Sequence, residues 1–128
     1  MREPNDFAAA FAAMVDQLPD GILMVSDSLT LLNRRRVFEF SATHRLPAIY
    51  EFEALVRDGG LMSYGPDQSG SAERGAALVD RIPRGASPAE LPFENPTRFI
   101  FAINLKTAKS LGITVPSTLL VQADVLIE

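Results

Sequence analysis

The sequence predicts an α/β protein, a parallel sheet flanked by helices, on three observations. Short continuous apolar runs such as Ile22-Leu23-Met24-Val25 and Ala48-Ile49-Tyr50 alternate with segments of helical periodicity. Runs without polar alternation belong to strands covered on both faces. The interval between them suits right-handed βαβ units, and Pro or Gly turn signals punctuate each step. A chain of 128 residues, 47% hydrophobic and with a net charge of −4, has the length and apolar content of one folded domain.

The first element is an amphipathic helix over residues 5–17, with Phe7, Phe11, Met14, Val15 and Leu18 at helical spacing. Pro19-Asp20-Gly21 turns the chain into the strand from Ile22 to Val25, and Asp27 and Ser28 follow at its carboxyl end. Asn33 is placed to cap a helix from Arg34 to His44, with Val37, Phe38, Ser41 and Ala42 facing inward. A second strand ends at Tyr50, a short helix begins at Glu51-Phe52 and stops at Gly59-Gly60, and a third strand runs from Leu61 to Gly65. The pattern then changes. Pro66 to Ser71 reads as a polar connection, Ala72 to Ile82 as a helix with a narrow small-residue face, and 84–96, with Pro88, Pro92 and Pro96, as an extended linker. Thr97 to Asn104 alternates and is rich in aromatic and β-branched residues, as a strand requires. Asn104 caps a helix from Leu105 to Leu111 that Gly112 ends, and the tail from Val115 is expected to form a helical turn and a docked extended end.

Composition removes several function classes. The pI is near 5.0 and the only basic cluster is Arg34-Arg35-Arg36, so the basic face of a nucleic-acid binder is missing. Consecutive helical arginines point in different directions and read as a solvated helix end. With no cysteine, disulfides, thiolate zinc sites and cysteine nucleophiles are excluded. His44 is the one imidazole, and its place near a helix carboxyl end is favoured by the helix dipole alone. No G-x-S-x-G elbow surrounds Ser26, Ser28 or Ser63, no phosphate-binding glycine loop is present, and Glu51 and Glu53 read more simply as surface acids than as an acid/base pair. The sequence therefore calls for no enzyme, metal or cofactor.

Ligands of open α/β sheets bind outside the carboxyl ends of the strands. There the chain presents Ser26, Asp27 and Ser28, then Tyr50 and Glu51, then Ser63, Tyr64 and Gly65. Carboxylates, hydroxyls and phenol rings suit a small zwitterion with an apolar or aromatic body: carboxylate for its ammonium, hydroxyl and backbone N–H for its carboxylate, ring for stacking. The competing assignment makes Asp27 a loop cap and the two tyrosines edges of the core. On these residues alone both stand.

The run from Arg45 to Gly65, containing Leu46-Pro47-Ala48-Ile49-Tyr50-Glu51 and Leu61-Met62-Ser63-Tyr64-Gly65, the run from Pro96 to Gly112, and Val115 to Asp124 resemble the carboxyl-terminal part of ABC-transporter substrate-binding proteins related to tryptophan and tyrosine importers. The resemblance implies a type I periplasmic binding protein, in which two α/β lobes close on a solute. It implies that residues 1–65 are second-lobe βαβ units, 66–97 a crossover with a first-lobe helix, and 98–128 a return strand and second-lobe end. Asp27, Ser28, Tyr50, Glu51, Ser63 and Tyr64 then become ligand-binding positions. The implied partners are a small solute such as an aromatic amino acid and, in full-length relatives, an ABC permease; the implied location is the periplasm.

Complete relatives carry a leader, a first lobe and the start of the second before the point matching Met1. The chain is thus expected to be a truncated product, cytoplasmic as written for want of an apolar leader, with weak affinity from a one-walled cleft. Its helix from Ala72 to Ile82 is expected to pack on another copy, giving a homodimer. The alternative reading is a non-transport dimerising or regulatory domain derived from the same fold.

Overall fold

A computed structural model describes residue 3 and residues 5–128. Met1, with which the truncation reading begins, lies outside them, as do Arg2 and Pro4. Helix α1 (Asp6–Asp16) buries Phe7 and rests Phe11 on the core, leaves Met14 half-buried, and leaves Val15 and, beyond its end, Leu18 exposed. Strand β1 (Ile22–Met24) follows. Next comes a helix the periodicity did not reveal, α2 (Ser28–Leu32), and then α3 (Arg34–His44). Asn33 does not cap α3: its Nδ2 donates to the Leu29 carbonyl at 2.9 Å, closing α2 instead. Helix α3 buries Val37, Phe40 and Ser41 and leaves Ala42 exposed. Phe40 takes the inward position because its ring stacks on Phe11 at 4.4 Å. Of the three arginines, Arg34 pairs with Asp58 at 2.7 Å and Arg36 lies over the Phe7 ring.

Strand β2 (Ala48–Tyr50), helix α4 (Glu53–Arg57) and strand β3 (Met62–Pro66) continue the alternation. Helix α5 (Gln68–Arg81) starts four residues earlier than the sequence suggested. The expected polar connection is its first turn, because Asp67 accepts the Gly70 N–H at 3.1 Å and so caps it. The linker holds one 3₁₀ turn, Pro88–Glu90, before strand β4 (Phe99–Asn104), helices α6 (Leu105–Leu111) and α7 (Ser117–Gln122), and strand β5 (Val125–Ile127). Asn104 caps α6 by accepting the Thr107 N–H at 3.0 Å, and Gly112 ends it at φ 71°, a conformation that glycine adopts without Cβ strain.

The strands form one sheet in the order β1-β2-β3-β4-β5. β1, β2 and β3 are parallel, β4 is antiparallel to β3, and β5 is parallel to β4. The parallel sheet is therefore a mixed one. The reversal follows from the route of the chain, which leaves β3 at Pro66 and returns opposite it at Phe99, so β4 can only run back. The Asp67 N–H donates to the Arg98 carbonyl at 3.0 Å, closing the neck of this excursion.

One face of the sheet, bearing Met24, Ala48 and Tyr50, packs against Phe7 of α1, Val37 of α3 and Leu55 of α4. The other bears Leu23, Ile49, Met62, Tyr64, Phe99, Phe101, Ile103 and Leu126. On this second face Ile103 is buried and Met62 packs with Ile113 and Val115, whereas Leu23, Tyr64, Phe99 and Leu126 are exposed.

Candidate functional site

The carboxyl ends of β1, β2 and β3, the amino end of β4 and the starts of α2, α4 and α5 meet along one edge of the molecule. Backbone N–H groups at helix starts face that edge, so acidic side chains gather there to cap them. Asp27 does so for α2. Its Oδ1 accepts the Thr30 N–H at 2.7 Å while Thr30 Oγ1 accepts the Asp27 N–H at 2.8 Å, a reciprocal capping box. The Thr30 backbone N–H, helped by the Thr30 hydroxyl and the Leu29 N–H, holds the Asp27 carboxyl below the usual carboxylate range against a smaller opposing effect of desolvation. Asp27 is exposed, and so is Ser28, the first residue of α2.

Glu51 is half-buried between the ends of two strands. Its Oε2 accepts the Ser26 N–H at 2.9 Å, tying the end of β1 to the end of β2. The chain passes so close here that a Cβ placed on Gly65 would lie 1.8 Å from the Glu51 carbonyl oxygen. Only glycine lets β3 run beside that carbonyl. Asp27, Ser28 and Glu51 are thereby gathered on adjoining strand ends.

The other three sequence-predicted positions are placed elsewhere. Tyr50 is 2% exposed, its ring edge-on to Phe38 at 5.3 Å and against Gly60, so it belongs to the core and not to the edge. Burial pushes its phenol well above the ordinary tyrosine range. Ser63 shares that face of the sheet, opposite Tyr50 in the register; it is fully buried, and its Oγ has no hydrogen-bond partner. Tyr64 points to the opposite face, exposed and stacked on Phe99 at 5.6 Å. His44 sits in the last turn of α3 against the Phe40 ring at 4.6 Å.

Several edge residues escaped the sequence reading. A cavity of about 390 Å³ opens between α4 and α5, lined by Glu53, Arg57, Asp67, Gln68, Ser69 and Ile100 among others. A second of the same size, on the other side of the α5 start, is lined by Asp67, Ser69, Arg74, Thr97 and Arg98 among others. Arg57 Nε donates to Glu53 Oε1 at 2.7 Å, and Arg98 Nε stands 4.0 Å from Asp67 Oδ2. The signal for Asp67 was in the sequence: an Asp three residues before Gly70, directly after a strand, is an N-cap pattern. Nothing in the sequence marked Arg98, which reaches the edge only because β4 starts there. Chemically the edge offers carboxylates at Asp27, Glu51 and Glu53 for a cation, and guanidinium groups at Arg57 and Arg98 for an anion. Among the described residues no group of three or more His, Asp or Glu side chains is arranged to hold a metal ion.

Residues 1–127 match the family model described as ABC transporter substrate binding protein. The ABC domain from Streptococcus pneumoniae, solved in complex with L-Trp, superposes with a TM-score of 0.86 at 26% identity, over 99% of this chain and 44% of that one. A conserved domain protein from Vibrio cholerae gives 0.86 at 22% identity, over 98% and 42%. The ligand-free, open structure of a substrate-binding protein with adhesive properties from Clostridium difficile gives 0.69 at 17% identity, over 100% and 42%; these last two likenesses show the fold alone. No curated protein sequence matches. The chain spans less than half the length of the solved proteins it superposes on. The family model nonetheless covers almost every residue, and with a fold that agrees from α1 to β5, the chain belongs to the ABC transporter substrate-binding protein family.

Proposed function

We propose that residues 1–128 form one wall of a solute cleft in an ABC-importer binding protein, and that the solute is a small zwitterion of the aromatic amino-acid class. The observation that carries the proposal is the strand-end edge, where the Asp27 and Glu51 carboxylates stand on adjoining strand ends while Arg57 and Arg98 line two cavities on either side of the α5 start. An ammonium group is recognised by the first pair and a carboxylate by the second. The aromatic class is supported by the L-Trp complex of the pneumococcal protein. In this reading binding is the whole activity, with no covalent step assigned to any residue. The partner that receives the solute is an ABC permease, which places the working protein on the outer side of the cytoplasmic membrane. No described helix is long and apolar enough to cross a membrane itself.

Residues 1–128 taken by themselves supply one wall and bury a fraction of what a closed pocket does, so affinity of this segment alone on the order of millimolar is expected. Differential scanning fluorimetry with L-tryptophan, L-tyrosine and L-alanine tests this. Ligand at tenfold its Kd stabilises the folded state by about 1.4 kcal/mol, and the shift should be larger for the aromatic amino acids than for alanine. Arg98→Ala should abolish it while leaving the unliganded Tm in place, since Arg98 is largely exposed. An unchanged Tm at saturating concentrations of all three amino acids defeats the proposal.

A further inference from the structure

A cavity of about 290 Å³ opens between α3, the end of α4 and α6, on the face of the sheet that bears Tyr50. Asp58, Gly59 and Leu61 lead into the amino end of β3 and Thr107 follows the carboxyl end of β4, so the cavity lies toward the end of the sheet away from the strand-end edge. Its apolar lining is Phe38, Tyr50, Leu61 and Leu111, and the exposed Glu39 and Asp58 stand at its mouth. These walls all belong to described elements of this chain, and the charged mouth suits contact with water. Most hydrogen-bonding groups of the lining already have partners. Ser41 Oγ donates to the Leu46 carbonyl at 2.7 Å, Thr107 Oγ1 to the Gly59 carbonyl at 3.0 Å and Ser110 Oγ to the Thr107 carbonyl at 2.8 Å, while Asp58 Oδ2 accepts from Arg34 at 2.7 Å. Two groups remain. The Tyr50 side chain is buried, yet its hydroxyl meets no partner among the described residues, although a buried phenol usually finds one. The Glu39 carboxylate has no ion pair among them, and no Lys or Arg lines the cavity. Burial keeps the Tyr50 phenol protonated, so it offers a neutral hydrogen bond at the floor. The volume is at the small end of ligand pockets and suits one ring with a short chain.

We infer that this cavity is a second ligand site, which takes a small arylalkylammonium ion bearing a ring hydroxyl: the hydroxyl meets Tyr50, the ring lies against Phe38 and Leu111, and the ammonium meets Glu39. Such a ligand carries no carboxylate, which Glu39 and Asp58 would repel, so the inference stands apart from the zwitterion assigned to the strand-end edge. Titration of the 128-residue chain with tyramine, phenethylamine and phenylpropionate, followed by proton–nitrogen correlation NMR, tests it. Tyramine is expected to give saturable shifts in residues 38–42, 58–61 and 107–111 and none in 26–28. Phenethylamine, lacking the hydroxyl, should bind about fivefold more weakly, and phenylpropionate should not bind. Tyr50→Phe should bring the two amines to equal affinity. Glu39→Gln should weaken both amines by about threefold with an unchanged Tm, because the side chain is exposed. Ala42→Phe, at an exposed position of the mouth, should exclude both. The inference is overturned by the absence of saturable shifts with either amine up to about 10 mM, by shifts centred on the strand-end edge, or by phenylpropionate binding as tightly as the amines. Tyramine affinity left unchanged by Glu39→Gln and Ala42→Phe overturns it equally, and these two variants on the outer side of α3 decide the matter even where Tyr50→Phe disturbs the core.

Discussion

Ser63 shows how little a residue type says without its surroundings. A hydroxyl at a strand end invites a ligand, yet this one is fully buried with an unpaired Oγ. An unsatisfied buried hydroxyl costs free energy that an alanine of nearly the same shape does not. Ser63→Ala should therefore leave stability unchanged or raise it by about 1 kcal/mol in urea unfolding, with no effect on solute binding. Gly65→Ala is the contrasting case, because the new methyl group would meet backbone and not a movable side chain. It should destabilise by about 3 kcal/mol or more. Two titrations bracket the pH range. The Asp27 carboxyl titrates lower when folded than unfolded, so its contribution is present above the unfolded carboxylate range and disappears as pH falls through the folded value. The stability gap between the native chain and Asp27→Asn should accordingly narrow on acidification. Tyr50 behaves in the opposite sense: burial raises its phenol, so stability is full below the unfolded tyrosine value and declines above it. Tyr50→Phe should flatten that alkaline decline.

At the scale of elements, legibility tracked the strength of local chemistry. Strands β1 to β4, the Asn104 cap and the Gly112 stop could be read because each carries its own signal in a few residues. Helix α2 could not, since five residues display no periodicity, and only the Asp27 and Thr30 spacing hinted at a capping box. The inward face of Tyr50 was hidden for a related reason. In a three-residue strand with apolar positions on both sides, parity decides nothing until the covered face is known. The start of α6 illustrates how elements lock together. Asn104 is buried, caps its own helix through Oδ1, and donates from Nδ2 to the Val56 carbonyl of α4 at 3.0 Å, while Thr107 Oγ1 donates to the Gly59 carbonyl at 3.0 Å. Asn104→Ala removes a cap and strands a buried carbonyl. A loss of about 2–3 kcal/mol in the chemical denaturation midpoint analysis is expected.

At the scale of the whole molecule, the α/β class was within reach of the sequence, but the strand order and the direction of β4 were not. Direction depends on which end of the sheet receives the chain after a long departure, and no residue between Asp67 and Arg98 records that. The edge was legible in part for the same reason: Asp27, Glu51 and Asp67 follow directly on strands, whereas Arg57 and Arg98 reach the two sides of the α5 start through topology. Because Pro66 sits directly across from Phe99, the sheet treats everything between them as an insert spliced into a β-hairpin. Excising 67–98 and sealing the gap with an Asn-Gly turn, whose twist suits antiparallel neighbours, should leave a smaller five-stranded protein whose β3 and β4 pair as before. The remaining sheet would then be a minimal scaffold on which other inserts can be grafted between β3 and β4.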